Sequence, residues 1–123
     1  MNVKREGRCF ELTWDAFFSF HDKTYKDGLL VHGMVSGQGP LDGIRYAHAW
    51  IEMGDLVYDV SRVGIDRDEA LIIPKVLYYA IGNIIDEQVV RYTRDEARKL
   101  SLEHETSGPW WNQLWDWEAE QGL

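Results

Sequence analysis

Ala47-His48-Ala49-Trp50-Ile51-Glu52-Met53-Gly54-Asp55-Leu56-Val57-Tyr58-Asp59-Val60 is the stretch that decides the fold. Two alternating runs flank Gly54-Asp55, a two-residue hairpin loop whose leading glycine suits a type II′ turn. Strands are expected over residues 44–53 and 56–60. The loop length then sets the register. Met53 faces Leu56, Trp50 faces Asp59, and Ala49 faces Val60. His48 and Asp59 fall on one face as diagonal neighbours, roughly 7–8 Å apart at the backbone and within reach of a histidine–carboxylate hydrogen bond. Trp50, Glu52 and Val57 share that face. The opposite face carries Ala47, Ala49, Ile51, Met53, Leu56, Tyr58 and Val60 and is expected to pack on the core. A change of one residue in the loop would alter these pairings.

Outward from the hairpin, residues 29–35 read as a further strand, joined by turn chemistry in Gly37-Gln38-Gly39-Pro40-Leu41-Asp42-Gly43. Phe10, Trp14, Phe17 and Phe18 recur at helical spacing and predict a helix over 10–20. Gly7 would lie just outside its start, leaving Cys9 in the first turn. Later in the chain, Pro74 opens a short helix to residue 81, and 88–91 is extended. Thr93-Arg94-Asp95-Glu96 is a capping box that starts a helix over 94–105, with Ala97 and Leu100 inward. Pro109 precedes Trp110, Trp111, Leu114, Trp115 and Trp117, an apolar stripe at helical spacing that holds four of the six tryptophans. Glu118 and Glu120 near its end oppose the helix dipole, so this helix is short. The class is α+β.

A chain of 123 residues with 45% hydrophobic content forms one globular domain. Residues 107–123 are a Trp-rich C-terminal extension of it. No apolar run reaches the roughly 18–20 residues of a membrane helix, and no apolar stretch follows the basic N-terminal residues as a secretory signal requires. With one cysteine no internal disulfide can form. These features point to a cytoplasmic protein with no membrane partner. A net charge of −8 without a Lys/Arg cluster argues against nucleic acid. No short-spaced pair of ligands suggests a metal, and no cofactor is implied.

Cys9, His48 and Asp59 carry the chemistry. A lone cysteine is ordinarily a small buried hydrophobe. A histidine and an aspartate in this order change that reading. A helix N-terminus and an adjacent imidazolium both favour a thiolate, and a carboxylate on the far ring nitrogen fixes tautomer and orientation. The Cys9 backbone N–H, in a first helical turn, would face an oxyanion. Gly7-Arg8-Cys9-Phe10-Glu11-Leu12, His48-Ala49-Trp50-Ile51-Glu52 and Val57-Tyr58-Asp59 together resemble the nucleophile helix, histidine strand and aspartate strand of the papain-like superfamily, in the chain order of its transglutaminase-like branch.

That resemblance covers residues 5–61. It implies a single papain-like domain with an N-terminal nucleophile helix packed on an antiparallel sheet and further helices towards the C-terminus. It implies Cys9 as nucleophile, His48 as general base and then acid, and Asp59 as orienter, in a cysteine-dependent hydrolase or acyl transferase acting on an amide of a peptide or protein. Papain-like peptidases also place a glutamine shortly before the thiol. Residues 2–8 hold none, and Asn2 reaches the site only if the terminus folds back. An alternative is therefore a catalytically weak or inactive papain-like fold that serves as an acidic protein-binding module. Trp50 and His32 are candidate site-lining residues, Trp50 as a shield of the Cys–His pair from water. Trp110, Trp111 and Trp115 are candidates for a protein partner or self-association.

Overall fold

The computed structural model describes residues 3–19, 27–37, 44–60 and 71–120, with side chains from Cys9 onward. Asn2, His21 and residues 38–43 of the expected turn lie outside the described residues. The fold is α+β: a five-stranded antiparallel sheet and, among the described residues, four α-helices.

In chain order the elements are α1 (Val3–Ser19), β1 (Leu29–Ser36), β2 (Arg45–Met53), β3 (Leu56–Asp59), β4 (Leu71–Pro74), α2 (Lys75–Ile81), β5 (Val89–Tyr92), α3 (Arg94–His104) and α4 (Asn112–Ala119). The sheet order is β4-β3-β2-β1-β5. Met53 pairs with Leu56, Glu52 with Val57 and Ile51 with Tyr58, the register the two-residue loop demands. Gly54 has φ +58° while Asp55 stays out of the positive-φ region, the type II′ combination. The capping box forms in both directions: Thr93 Oγ1 accepts from the Glu96 N–H, and Glu96 Oε1 accepts from the Thr93 N–H. Strand β4 has no counterpart in the sequence reading. Only four residues long and at the sheet edge, it gives too short a run for periodicity to register.

One expectation is corrected. Helix α1 begins at Val3, so Cys9 lies in its interior and not in its first turn. Val3-Lys4-Arg5-Glu6 are tolerant helix residues, and a single glycine inside a helix costs only about 1 kcal/mol, so Gly7 does not stop it. The Cys9 N–H belongs to the helix ladder and is not available to an oxyanion.

Both faces of the central strands β1 and β2 are buried, while the β4 edge is exposed. Ala47, Ala49 and Ile51, with Leu30 and Met34 of β1, pack under Cys9, Phe10, Ala16 and Phe17 of α1, Ala97 of α3 and Leu114 of α4. The face of His48 and Asp59 is not open either. Val31, Val35, Trp50 and Val57 form a second buried cluster there with Tyr78 of α2 and Ile84. The Trp-rich segment packs largely inward: Trp110 packs against the buried group of Phe17, Leu30 and Ile51, and Trp111 and Trp117 against that of Cys9, Met34 and Leu114, while Trp115 is 50% exposed. No helix among the described residues is long and apolar enough to cross a membrane.

Strand β2 has an uneven outer edge. The ladder to β3 runs only over residues 51–53, so the outward backbone groups of Ala47 and Ala49 need other partners. Thr13 of α1 donates to the Ala49 carbonyl at 3.3 Å. The Ala47 N–H donates to Glu118 Oε2 of α4 at 2.9 Å. Cys9 is one helical turn before Thr13 on the same side of α1, which sets it beside Ala47 and His48.

Gly33 pairs with His48 across the β1–β2 ladder. A Cβ at Gly33 would stand 2.9 Å from Val89 Cγ2, 3.0 Å from the Gln88 carbonyl and 3.0 Å from Trp50 Cη2. Gly33→Ala is expected to destabilise the fold by about 1–3 kcal/mol, read as a lower urea midpoint at unchanged slope.

Candidate active site

His48 and Asp59 meet across the face that the hairpin register assigns them. His48 Nε2 lies 2.9 Å from Asp59 Oδ2. Asp59 has no solvent exposure and His48 is buried, so this pair is not the weak surface kind. With Nε2 carrying the proton shared with Asp59, the lone pair of the neutral ring resides on Nδ1. Cys9 lies near enough to the same ring to favour its protonated form, although no bond meeting distance and angle limits reaches Nδ1 among the described residues. Burial is the largest single influence on His48 and favours the neutral ring. The Asp59 carboxylate, by charge and by hydrogen bond, and the nearby Cys9 sulfur outweigh it and hold His48 well above the usual 6.5.

The route by which Cys9 gets there is the outer edge of β2. Helix α1 covers the alanine face of the strand, whereas the His48 ring belongs to the other. Among the described residues β3 pairs only with residues 51–53, and no other strand of the sheet flanks His48 on that side. Thr13 anchors the helix at Ala49, and the turn before it delivers Cys9. Cys9 is buried, 2% exposed, in the cluster against which Trp111 and Trp117 pack.

Trp50 lies beside His48, with ring centroids 6.2 Å apart and planes 29° from parallel. Its indole Nε1 donates to Glu52 Oε2 at 3.0 Å. Glu52 is itself buried and is held by Arg91 Nε at 2.9 Å and by the Tyr79 hydroxyl, which shares Oε2. Arg91 Nη2 donates in turn to the Tyr79 oxygen at 2.7 Å. Glu52 therefore fixes the edge of Trp50, and Trp50 walls one side of the imidazole.

Asp59 Oδ2 accepts a second hydrogen bond, from the Tyr78 hydroxyl at 2.5 Å. Nothing in the sequence pattern gives Tyr78, Tyr79, Arg91, Thr13 or Glu118 a place around this pair. One signal was available. Glu52 and Asp59 alternate with buried residues on adjacent strands, and a carboxylate there requires donors from outside the hairpin. Which residues supply them depends on where α2 and β5 dock.

His32 sits on the other face of the sheet, opposite Ala49. It is fully buried against Phe10, Tyr92 and Trp110, with ring centroids 4.8, 5.2 and 5.1 Å away. Gly108 closes the cage, for a Cβ there would fall 2.5 Å from His32 Cε1. Neither ring nitrogen has a hydrogen-bond partner among the described residues. Burial, and then repulsion from His48, push this imidazole down to about 3. The structure thus separates His32 from the His48–Asp59 pair. No group of three or more His, Cys, Asp or Glu side chains among the described residues is placed to hold a metal ion.

Comparison with protein-family models, with curated proteins and with solved structures gives no match, so the resemblance to papain-like enzymes rests on the residues themselves.

The two buried histidines have opposite pH linkage. The folded-state value of His32 lies below its unfolded value, so its contribution is present above about 6.5 and lost as pH falls towards 3. The value of His48 is raised, so its contribution is complete below about 6.5 and lost as pH rises through the folded-state titration. Below about pH 5.5 the His48 contribution levels off, and the acid limb there reports mainly His32. Urea unfolding below about pH 5.5 should show wild-type stability falling with pH at a slope approaching about 1.4 kcal/mol per pH unit. His32→Phe, which fills the cage with an apolar ring, should flatten that slope.

Proposed function

We propose that this chain is a cysteine-dependent hydrolase or acyl transferase of the papain/transglutaminase-like type, acting on an amide of a peptide or protein. The observation that carries the reading is the buried His48–Asp59 hydrogen bond through Nε2, which leaves the basic nitrogen of the ring for Cys9. Proton transfer from Cys9 to His48 produces a thiolate and an imidazolium. The thiolate adds to the substrate carbonyl, and the tetrahedral intermediate collapses as His48 gives its proton to the departing amine. A thioester on Cys9 remains. Water or an acceptor amine then adds to it, His48 takes the incoming proton, and the thiol leaves. Asp59 keeps the ring in one tautomer throughout. Trp50 and its Glu52 anchor limit the access of water to the pair.

A second reading draws on two other observations. The Cys9 N–H is committed to the helix, and residues 2–8 contain no glutamine, so neither usual oxyanion donor is in hand. Cys9 is also buried in an apolar cluster against which Trp111 and Trp117 pack. On this reading the domain is an acidic protein-binding module in which Cys9 packs as a small hydrophobe.

Thiol reactivity separates the two. On the enzyme reading, iodoacetamide alkylates Cys9 readily at pH 6, and His48→Ala slows that reaction by about tenfold or more. Cys9→Ala then abolishes turnover of any amide substrate, and Asp59→Asn lowers it by about 10²-fold or more. A thiol that reacts only near pH 8.5 or above, equally fast with and without His48, sinks the enzyme reading.

A further inference from the structure

Two tyrosines, consecutive in sequence, reach down from α2 to two different buried carboxylates. Tyr79 serves Glu52, whose partners also include Arg91 and the Trp50 indole. Tyr78 serves Asp59 on Oδ2, the very oxygen that faces His48 Nε2. Tyr78 is 4% exposed and Asp59 has no exposure, so this contact is shielded from solvent. Its 2.5 Å length is that of a charge-assisted O–H···O⁻ bond.

We infer that Tyr78 is a positioning residue of this site: its hydroxyl pins the Asp59 carboxylate so that Oδ2 is presented to His48 Nε2, and it moderates how much negative charge that oxygen offers the ring. The inference rests on the proposed role of His48 and Asp59, and it adds a residue to which neither the motif nor its spacing points.

Two physical arguments support it. A buried carboxylate with a free side-chain torsion has two equivalent oxygens and several orientations, and a second donor on one oxygen removes that freedom. Two donors on one oxygen also share its electron density, so the phenol weakens the bond from the ring and lowers the pull on its proton. A general base must accept a proton and then return it, and an unmoderated carboxylate would hold the imidazolium too firmly. The remaining groups around the ring are Cys9 from α1, Tyr46 on its own strand at 5.8 Å between centroids, His32 through the sheet, and Glu118 of α4 on the adjacent Ala47 N–H. Unlike these, Tyr78 acts on His48 through the oxygen of Asp59.

The test is an NMR titration of the His48 ring in wild type and in Tyr78→Phe, which keeps the buried ring and removes only the hydroxyl. The expected result is an upward displacement of the His48 midpoint by roughly half a pH unit or more, with amide dispersion showing an intact fold. A midpoint identical to wild type overturns the inference, as does a downward one. Should Tyr78→Phe fail to fold, the wild type still decides: the Tyr78 Cζ resonance should move with the His48 midpoint, and a flat Tyr78 resonance there overturns the inference. Failure of the proposed chemistry reads differently. Cys9 inert to iodoacetamide, with the His48 midpoint still displaced in Tyr78→Phe, removes the nucleophile and keeps the positioning role. His48-dependent alkylation with an undisplaced midpoint does the reverse.

Discussion

A carboxylate with no exposure to water has to be held by donors, and Asp59 is the point about which this structure is arranged. Its Oδ2 takes the His48 ring from β2 and the Tyr78 hydroxyl from α2. Three elements are thereby tied together at one atom. Glu52, seven positions earlier and on the same face, is held by Arg91 of β5 and Tyr79 of α2. The two acidic groups on the hairpin dictate where α2 and β5 must dock, because leaving either unpaired would cost several kcal/mol. The apolar residues between them, Val31, Val35, Trp50 and Val57, supply the burial that makes the arrangement stable.

The second constraint is the short β2–β3 ladder. Its early end leaves strand backbone at Ala47 and Ala49 to be satisfied by side chains of α1 and α4. The same gap in the sheet brings an α1 side chain to a histidine on the opposite face. A continuous partner strand would have satisfied the edge and walled Cys9 from His48. The candidate site therefore lies where, among the described residues, the β2–β3 ladder stops, a common place for polar groups that secondary structure does not absorb.

Much of this was legible in the chain. The Gly54-Asp55 loop determined the pairing of Met53 with Leu56 and, through the period of two, the shared face of His48 and Asp59. Thr93 and Glu96 announced α3. The reading failed at Gly7. A glycine is a probable boundary but not a required one, and only the run of residues packing against the sheet decides how far a helix extends. The burial of the His48 face was not legible, since a strand with alternating polar and apolar residues looks half-exposed whether or not a tyrosine-bearing helix covers the polar side.

Sequence alone determined what is local: the hairpin register, the capping box, and the alternation that joins His48, Trp50, Glu52 and Asp59 on one face. These depend on contacts within a few residues, where turn geometry and side-chain period leave little choice. Tertiary structure decided what is not local. It placed Cys9 in the interior of α1, brought it round the edge of β2 to His48, gave Tyr78 to Asp59, and buried His32 in an aromatic cage on the far face. Those contacts join residues 19 to 78 positions apart, and only the packing of helices on both faces of the sheet selects them.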